Sequence, residues 1–235
     1  MTHHFGVLIP STNTTTETEY SRLPSGYQAH YARLLTTTPG RPFAPGRDED
    51  IDYQSKLLGT AKVEMVVLIQ TSASLHADDY DEITMRRMSA GAGVPSITSA
   101  QAVGRALRAL GVRRIGLVSP YSEEVNAQAR HYFTGKHGLE VAVVDGFAAK
   151  DAYTIGKLGP EHARDAFARI DRPDIDAFVV PGGNFTTMAS IAAWEREFGK
   201  PVVTTSQASV WAVAQQLHGE RIPGFGRLLE EMPAG

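Results

Sequence analysis

Three short polar segments of the chain carry residue types that bind small anions. Ser11 to Thr16 is an unbroken run of hydroxyl and amide side chains, Thr71 and Ser72 are adjacent hydroxyls, and Gly182-Gly183-Asn184 joins two glycines to an amide. Hydroxyl, amide and backbone N–H groups can hold a carboxylate and stabilise the charge that develops from it during a reaction. The same residue types are common in helix caps and tight turns, so each segment also has a purely structural interpretation.

Each polar segment directly follows a short apolar run that predicts a β-strand. Runs such as Val66 to Ile69 do not alternate with polar residues, which is typical of parallel strands buried on both faces. Strands are predicted at Phe5–Ile9, Gln28–Leu34, Met65–Gln70, Arg114–Ser119, Glu140–Val144, Ala177–Pro181 and Pro201–Thr204. Helices are predicted near Thr14–Leu23, Asp48–Ala61, Ala77–Ala90, Ala100–Leu110, Ser122–His137, Pro160–Ile170, Thr187–Phe198 and Ser206–Leu217. This alternation favours an α/β fold, whose ligands bind beyond the carboxyl ends of the parallel strands.

The two halves of the chain repeat the same signals in the same order. Gly6–Pro10 recurs as Gly116–Pro120, and Pro95–Thr98 recurs at nearly the same spacing as Pro201–Thr204. We therefore predict two pseudo-symmetric, Rossmann-like lobes, each with a parallel four-stranded sheet, and an active-site cleft between them. The first lobe is predicted to span residues 1–100 and the second residues 101–220, with residues 221–235 packing back on the first lobe.

The repeat also adds a candidate to the predicted cleft. Tyr121 follows Pro120 and stands in the place of Ser11, so it would lie at the cleft mouth. A phenol there could donate a hydrogen bond to a carboxylate, although an aromatic ring packing on the next helix is an equal alternative. Asn126, on that predicted helix, is a weaker candidate.

Composition narrows the classes of protein that the chain could be. It is 42% hydrophobic and 21% charged with a formal net charge of −3, which does not favour binding to nucleic acid. No apolar run approaches the roughly 20 residues that span a membrane. The first residues enter an apolar strand directly and lack the layout of a signal peptide, so a cytoplasmic location is our default expectation.

The sequence also gives little support for a cofactor or metal site. The chain has no cysteine, which excludes disulfides and thiolate ligands. His76, Asp78 and Asp79 could suggest metal ligands, but no further histidine has the spacing that a metal site needs. Neither a Gly-x-Gly-x-x-Gly fingerprint nor a Gly-x-Ser-x-Gly elbow is present. We predict a site without metal or cofactor.

The polar segments lie in stretches that resemble a known family. Pro10–Glu19 resembles the opening motif of maleate cis–trans isomerases. Leu110–Gly116, Tyr121 to Asn126, and Gly199–Ser206 with Trp211 resemble both those isomerases and arylmalonate decarboxylase, and Pro223–Leu229 resembles the end of the decarboxylase. The chain is thus identified as a member of the aspartate/glutamate racemase superfamily over nearly its whole length. The resemblance implies two pseudo-symmetric lobes with a small carboxylate between them.

The resemblance also implies roles for residues of the predicted cleft. Asn13 matches the asparagine that binds the substrate carboxylate in the isomerases, and Thr71, Ser72 and Tyr121 match the pocket that holds the dioxyanion in the decarboxylase. Gly183 would let the backbone approach this ligand closely.

This sequence differs from the family at the positions of the catalytic cysteines. Gln70 stands where racemases and isomerases keep their first cysteine, and the decarboxylase has glycine there. Gly182 stands at the second, although a one-residue gap would move the match to Pro181. Asn184 matches an asparagine that commonly follows the second cysteine in the isomerases. The resemblance thus implies a retained pocket from which both thiols are absent, with Gln70, Tyr121 and Gly182 as the residues at the catalytic positions.

Without thiols, two of the family's reactions are impossible: racemisation by opposed thiols, and isomerisation through addition of a thiol to an alkene. We predict a cofactor-independent lyase of small carboxylic acids, most simply a decarboxylase whose enediolate is stabilised by hydroxyl and amide donors. The alternatives are a maleate-type isomerase that works without a thiol, a hydrolytic or hydrating enzyme in which Gln70 orients water, and a protein that only binds mono- or dicarboxylates. A homodimer is compatible with the composition. The substrate and the proton donor stay open.

Overall fold

The computed structural model describes residues 2–35, 45 and 47–234. Within these residues the framework consists of two parallel four-stranded sheets, with the strand orders β2-β1-β3-β4 and β6-β5-β7-β8. The strands are β1 (His3–Pro10), β2 (Tyr27–Leu34), β3 (Met65–Leu68), β4 (Ser96–Thr98), β5 (Arg114–Ser119), β6 (Glu140–Gly146), β7 (Ala177–Val180) and β8 (Val202–Thr204). The predicted α/β fold with two pseudo-symmetric four-stranded lobes is confirmed, because the two strand orders correspond position by position.

Helices cover the sheets and connect the strands. They are α1 (Thr16–Tyr20), α2 (Asp48–Thr60), α3 (Thr71–Ser74), α4 (Tyr80–Ala92), α5 (Ser99–Ala109), α6 (Glu123–His137), α7 (Ala152–Ile155), α8 (Pro160–Ile170), α9 (Ile191–Phe198), α10 (Thr205–Gln216) and α11 (Arg227–Glu231). A 3₁₀ turn at Met188–Ser190 leads into α9. Each sheet is therefore shielded from water, which explains why its central strands are apolar on both faces.

The internal repeat of the sequence has a structural counterpart at the start of two helices. The Thr98 hydroxyl accepts a hydrogen bond from the Gln101 N–H at the start of α5, and the Thr204 hydroxyl accepts one from the Gln207 N–H at the start of α10. These are ordinary threonine caps, and they occupy equivalent places in the two lobes. Helices α5 and α10 pack against each other, and one buried apolar cluster runs through both lobes.

The last described residues make hydrogen bonds to the second lobe. The indole N–H of Trp211 donates to the Pro233 carbonyl, the Gln207 amide donates to the Phe225 carbonyl, and the Arg227 N–H donates to the Glu195 carboxylate. Arg221 and Pro223, at the start of this segment, line a hollow together with residues 24–27 of the first lobe. The predicted packing of residues 221–235 on the first lobe stays a prediction.

A second connection between the lobes lies away from the cleft. The Asp81 carboxylate, on α4, is fully buried and accepts hydrogen bonds from the Tyr132 hydroxyl at 2.5 Å, the Thr98 hydroxyl at 2.7 Å and the Gln101 amide at 3.2 Å. Because Tyr132 belongs to α6, this buried carboxylate joins the first lobe to the second. A buried charge of this kind is tolerated only when its oxygens are well hydrogen-bonded.

The neighbouring histidine predicts a pH dependence of stability. His137 is buried, its Nδ1 lies 2.6 Å from the Arg108 guanidinium, and burial together with that positive charge lowers its pKa to about 4. Between about pH 6.5 and pH 4 the unfolded chain therefore binds a proton that the folded chain does not, and stability falls as the pH falls. We expect His137→Gln to remove a loss of about 3 kcal/mol across that window.

The measurement is a pair of urea unfolding curves at pH 7 and pH 4.5. The matched control is His131→Gln, since His131 lies on the same helix but is exposed. The prediction is wrong if the wild type and His137→Gln lose the same free energy of unfolding between the two pH values.

Candidate active site

The predicted polar turns meet in one cavity between the lobes. It lies beyond the carboxyl ends of β1, β3, β5 and β7, where parallel sheets bind their ligands. The cavity is lined by all eight residues predicted for the site, Asn13, Gln70, Thr71, Ser72, Tyr121, Gly182, Gly183 and Asn184, and also by Pro10, Thr12, Ile69, Ala152 and Ile155. Its volume is about 30 Å³, so the cleft is narrow.

Two asparagines connect the loops of the two lobes by hydrogen bonds. The Asn13 amide donates to the Gly183 carbonyl at 3.1 Å, and its oxygen accepts from the N–H groups of Thr15 and Thr16. In the opposite direction, the Asn184 side-chain oxygen accepts from the Thr14 N–H at 2.8 Å. The side chains of Asn13 and Asn184 thus shape the cleft through reciprocal contacts.

The Thr71 hydroxyl is hydrogen-bonded to other side chains of the protein. It lies 3.1 Å from the Ser99 hydroxyl and 2.9 Å from the Thr205 hydroxyl, and Thr205 in turn accepts the Gly182 N–H at 2.9 Å. This chain of hydroxyls fixes the turn after β7 to the turn after β3. Thr71 therefore connects the two turns while it also lines the cavity, and its contact with substrate stays a prediction.

The Tyr121 phenol lies close to the hydroxyls of Ser72 and Thr71. Tyr121 is buried, and burial raises the pKa of its phenol well above the ordinary value, while hydrogen bonds from Ser72 and Thr71 oppose that shift. The phenol is therefore protonated at neutral pH. The backbone of Tyr121 is held as well, since its N–H donates to the Ser119 hydroxyl and its carbonyl accepts from the Asn126 amide. Asn126 accordingly supports Tyr121 and is absent from the cavity lining.

Thr12 is a cleft residue that the sequence analysis did not single out. Its hydroxyl is buried and has no hydrogen-bond partner within the part of the chain that the structure describes. The N–H groups of Gly183 and Asn184 likewise have no protein acceptor among those residues. Buried polar groups are rarely left unpaired, so these three groups are available to a ligand. Thr12 lies inside the polar run from Ser11 to Thr16, but its sequence gives no sign of which hydroxyl faces the cavity.

Part of the cavity lining is apolar. It consists of Pro10, Ile69, Ala152 and Ile155, and no charged side chain is among the described residues that line the cavity. Arg33 is not one of the lining residues, although it donates to the Asn13 carbonyl and pairs with Glu17 at 2.6 Å. An anion in the cleft would therefore be held by neutral donors in a medium that strengthens each hydrogen bond.

The backbone at Gly182 decides which side chains could replace it. Its φ of +99° lies in the region that favours glycine. A Cβ added there would stand 2.9 Å from Pro120 Cγ and 3.3 Å from the Tyr121 hydroxyl. Gln70, at the position that matches the first cysteine, has a φ of −148°, which any residue adopts.

The described residues offer neither a metal cluster nor a membrane span. No group of three or more histidine, aspartate or glutamate side chains among them is arranged to hold a metal ion. No helix described by the structure is both long and apolar enough to cross a lipid bilayer.

Fold and site together define a class: a two-lobed α/β protein whose interlobe cleft is lined by uncharged hydrogen-bonding groups. Comparison with known proteins assigns the family. The family model of arylmalonate decarboxylase matches residues 47–229. The chain belongs to the arylmalonate decarboxylase family, and the resemblance noted in the sequence is confirmed.

Relatives with known activities are enzymes of two kinds. Arylmalonate decarboxylase of Bordetella bronchiseptica is 32% identical over 193 residues, which cover 78% of each chain. Maleate isomerase of Pseudomonas putida is 26% identical over 243 residues, which cover 97% of each chain. A crystal structure of maleate isomerase from Pseudomonas putida S16 with maleate, in a variant that lacks one cysteine, has a TM-score of 0.90 at 25% identity and covers 98% of both chains. The prediction that the chain belongs to a branch of lyases and isomerases is therefore confirmed.

Proposed function

We propose that the protein is a cofactor-independent decarboxylase of small malonate-type acids. The observation that carries this proposal is the set of neutral donors at the cleft, namely the hydroxyls of Thr12, Ser72 and Tyr121 with the N–H groups of Gly183 and Asn184, in a chain that has no thiol. Such donors stabilise an oxyanion without taking part in covalent chemistry. Decarboxylation is the reaction of the family that depends most on this stabilisation.

The geometry supports a simple course for the reaction. One carboxylate of the acid is held by the neutral donors, and the other lies against apolar lining residues such as Ile155. The bond between the α-carbon and the second carboxyl breaks, CO₂ leaves, and the electron pair moves into the retained carboxylate to form an enediolate. The protonated phenol of Tyr121, supported by its hydrogen bond with the Ser72 hydroxyl, donates to an enediolate oxygen, so the stabilisation is greatest when the charge has developed.

A proton must then return to the α-carbon. Since no thiol is available, water is the simplest source, and the Gln70 amide, which lines the cleft at the end of β3, is placed to orient it. The glycines at 182 and 183 let the backbone approach the bound acid. Asn13, Thr71 and Asn184 hold the loops in position.

The direct test is to incubate the purified protein with alkyl- and arylmalonates in deuterated water. CO₂ release and uptake of one deuterium at the α-carbon, measured by NMR, are the expected results. The control is a variant with Thr71→Ala and Ser72→Ala. Turnover no faster than this control would reject the decarboxylase.

The main alternative is a thiol-free isomerase of maleate-like diacids. It is favoured by one observation, that maleate isomerases match over 97% of the chain whereas the decarboxylase matches over 78%. Formation of fumarate from maleate, followed by NMR, would identify it. A protein that only binds carboxylates would instead be stabilised in a thermal melt by malonate or maleate without forming a product; a hundredfold excess over Kd contributes about 2.7 kcal/mol. The homodimer and the cytoplasmic location stay predictions.

The unpaired hydroxyl of Thr12 gives a prediction that is specific to this chain. We expect Thr12→Val to lower the affinity for the acid about tenfold or more, because the substrate carboxylate loses one donor in a dry site. The stability should stay the same or rise, since the hydroxyl has no protein partner to lose. Isothermal titration calorimetry and thermal melts measure the two effects, with the exposed Thr18→Val on α1 as the control. Unchanged affinity would contradict the assignment.

A further inference from the structure

One face of the short helix α1 contacts the second lobe. Thr16, Glu19 and Tyr20 lie on that face because they are three and four residues apart. The Thr16 hydroxyl donates to the Gly183 carbonyl at 2.8 Å, and the Tyr20 hydroxyl donates to the Ser206 carbonyl at 2.9 Å. These contacts reach across the cleft, so α1 is a connection between the lobes on the substrate side.

Glu19 makes the most demanding of these contacts. Its side chain is buried, and its Oε1 accepts the Thr187 N–H at 2.6 Å and the Met188 N–H at 2.8 Å. Those two N–H groups open the 3₁₀ turn that leads into α9, where a carboxylate is favoured by the helix dipole. A buried carboxylate is nevertheless costly, and an amide or a hydroxyl would satisfy the same N–H groups at a lower cost. Capping alone therefore does not explain the residue.

The presence of a glutamate here is explained by the two segments that its carboxylate joins. On one side, Glu19 follows the loop that carries Thr12 and Asn13. On the other side, Thr187 and Met188 follow the turn that carries Gly183 and Asn184, which line the cleft. The carboxylate thus joins the two loops whose donors must converge on one ligand.

We propose that Glu19 is a positioning residue that sets the spacing of the two substrate loops. It is not among the residues that line the cleft. Its effect on the ligand passes through the turn at residues 182–188, and the consequence for substrate binding rests on the proposed function. Misplacement of donors by about 1 Å is enough to lose about a hundredfold in rate, so such a spacer has a large influence on the site.

The chain offers a matched comparison. Tyr132→Phe removes the buried hydrogen bond to Asp81, which also joins the lobes but lies on α4 and α6, away from the cleft. Glu19→Ala removes the spacer, Glu19→Asp shortens it while keeping the carboxyl group, and Glu19→Gln keeps an oxygen that can accept both N–H groups. The Asp variant keeps the test decisive if the Ala variant does not fold.

Hydrogen exchange measured by mass spectrometry tests the positioning role without any ligand. Exchange at residues 182–188 is expected to be about tenfold faster or more in Glu19→Ala, intermediate in Glu19→Asp, and close to wild type in Glu19→Gln and Tyr132→Phe. Affinity for methylmalonate, measured by calorimetry, should follow the same order. The proposal is overturned if Glu19→Ala and Glu19→Asp leave exchange in this turn unchanged, or if Tyr132→Phe accelerates it equally. Wild-type protein that binds no malonate or maleate would refute the proposed function, while the exchange data would still decide the role of Glu19.

Discussion

Replacing Tyr121 by phenylalanine should lower kcat/KM for the preferred malonate about 10²–10³-fold, and Ser72→Ala should have an effect of similar size. The first change removes the donor that faces the charge of the enediolate, the second removes the hydroxyl that supports this donor, and both preserve the shape of the cleft. The double variant should lose less than the product of the single effects, because the two hydroxyls are hydrogen-bonded to each other and act as a unit. Steady-state kinetics with CO₂ detection measures these losses.

Tyr132→Phe is the matched control for this experiment. Tyr132 is also a buried tyrosine with a hydrogen-bonded hydroxyl, but its partner is Asp81 and it does not line the cleft. We expect it to reduce stability while leaving kcat/KM within about twofold of wild type. If Tyr121→Phe behaves like Tyr132→Phe, the phenol of Tyr121 does not stabilise the transition state and the mechanism above is wrong.

The second large effect is expected from Gly183→Ala. A methyl group at this position would overlap the Cγ2 methyl of Ile69 in the opposite lobe, so either the lobes separate or Ile69 leaves its place in the cleft wall. Overpacking of this kind typically costs about 1–3 kcal/mol of stability. Affinity for the acid should fall by about a hundredfold or more, since the donors of the two lobes can no longer converge.

The chain contains a suitable control for that substitution. Gly135 lies on helix α6, and a Cβ added there meets no atom within 4 Å. Gly135→Ala should raise stability by about 0.5–1 kcal/mol, because alanine is favoured over glycine within a helix. Thermal melts and calorimetry on the two variants compare the same chemical change in a crowded and an open place. Normal ligand affinity in Gly183→Ala would show that the two lobes do not need this close approach.

Much of the fold is predictable because the chain repeats its own signals. The apolar runs that form β1 and β5 end in the same Gly-to-Pro pattern, and together with the repeat of Pro95–Thr98 at Pro201–Thr204 this similarity predicts two lobes. Strand β4 is not predicted as a strand, since it has one apolar residue where β8 has two, although the repeat pairs the two segments. Helices α3 and α7 have only four residues each, which is too few to show a helical period.

The location of the site is predictable from the sequence, but the hydrogen-bond partners within it are not. Polar turns at the carboxyl ends of parallel strands must meet at one edge, which is why all eight predicted residues line one cavity. The sequence does not show that the Thr71 hydroxyl contacts Thr205, because the two residues are 134 positions apart and belong to different lobes. For the same reason it does not show which hydroxyl of the run after β1 is left for a ligand. Hydrogen bonds between the lobes depend on how the lobes pack together, and local residue patterns do not predict this packing.

The left-handed turn at Gly182 has a consequence for protein engineering. Sequence resemblance puts the second catalytic cysteine of the wider superfamily at this residue, yet the backbone here has a conformation that disfavours any side chain, and the nearest space is taken by the Pro120 ring. A cysteine introduced here would require the turn to change its shape first. Adding a thiol therefore needs several coordinated substitutions, whereas the oxygen and nitrogen donors around the cleft can be varied one at a time.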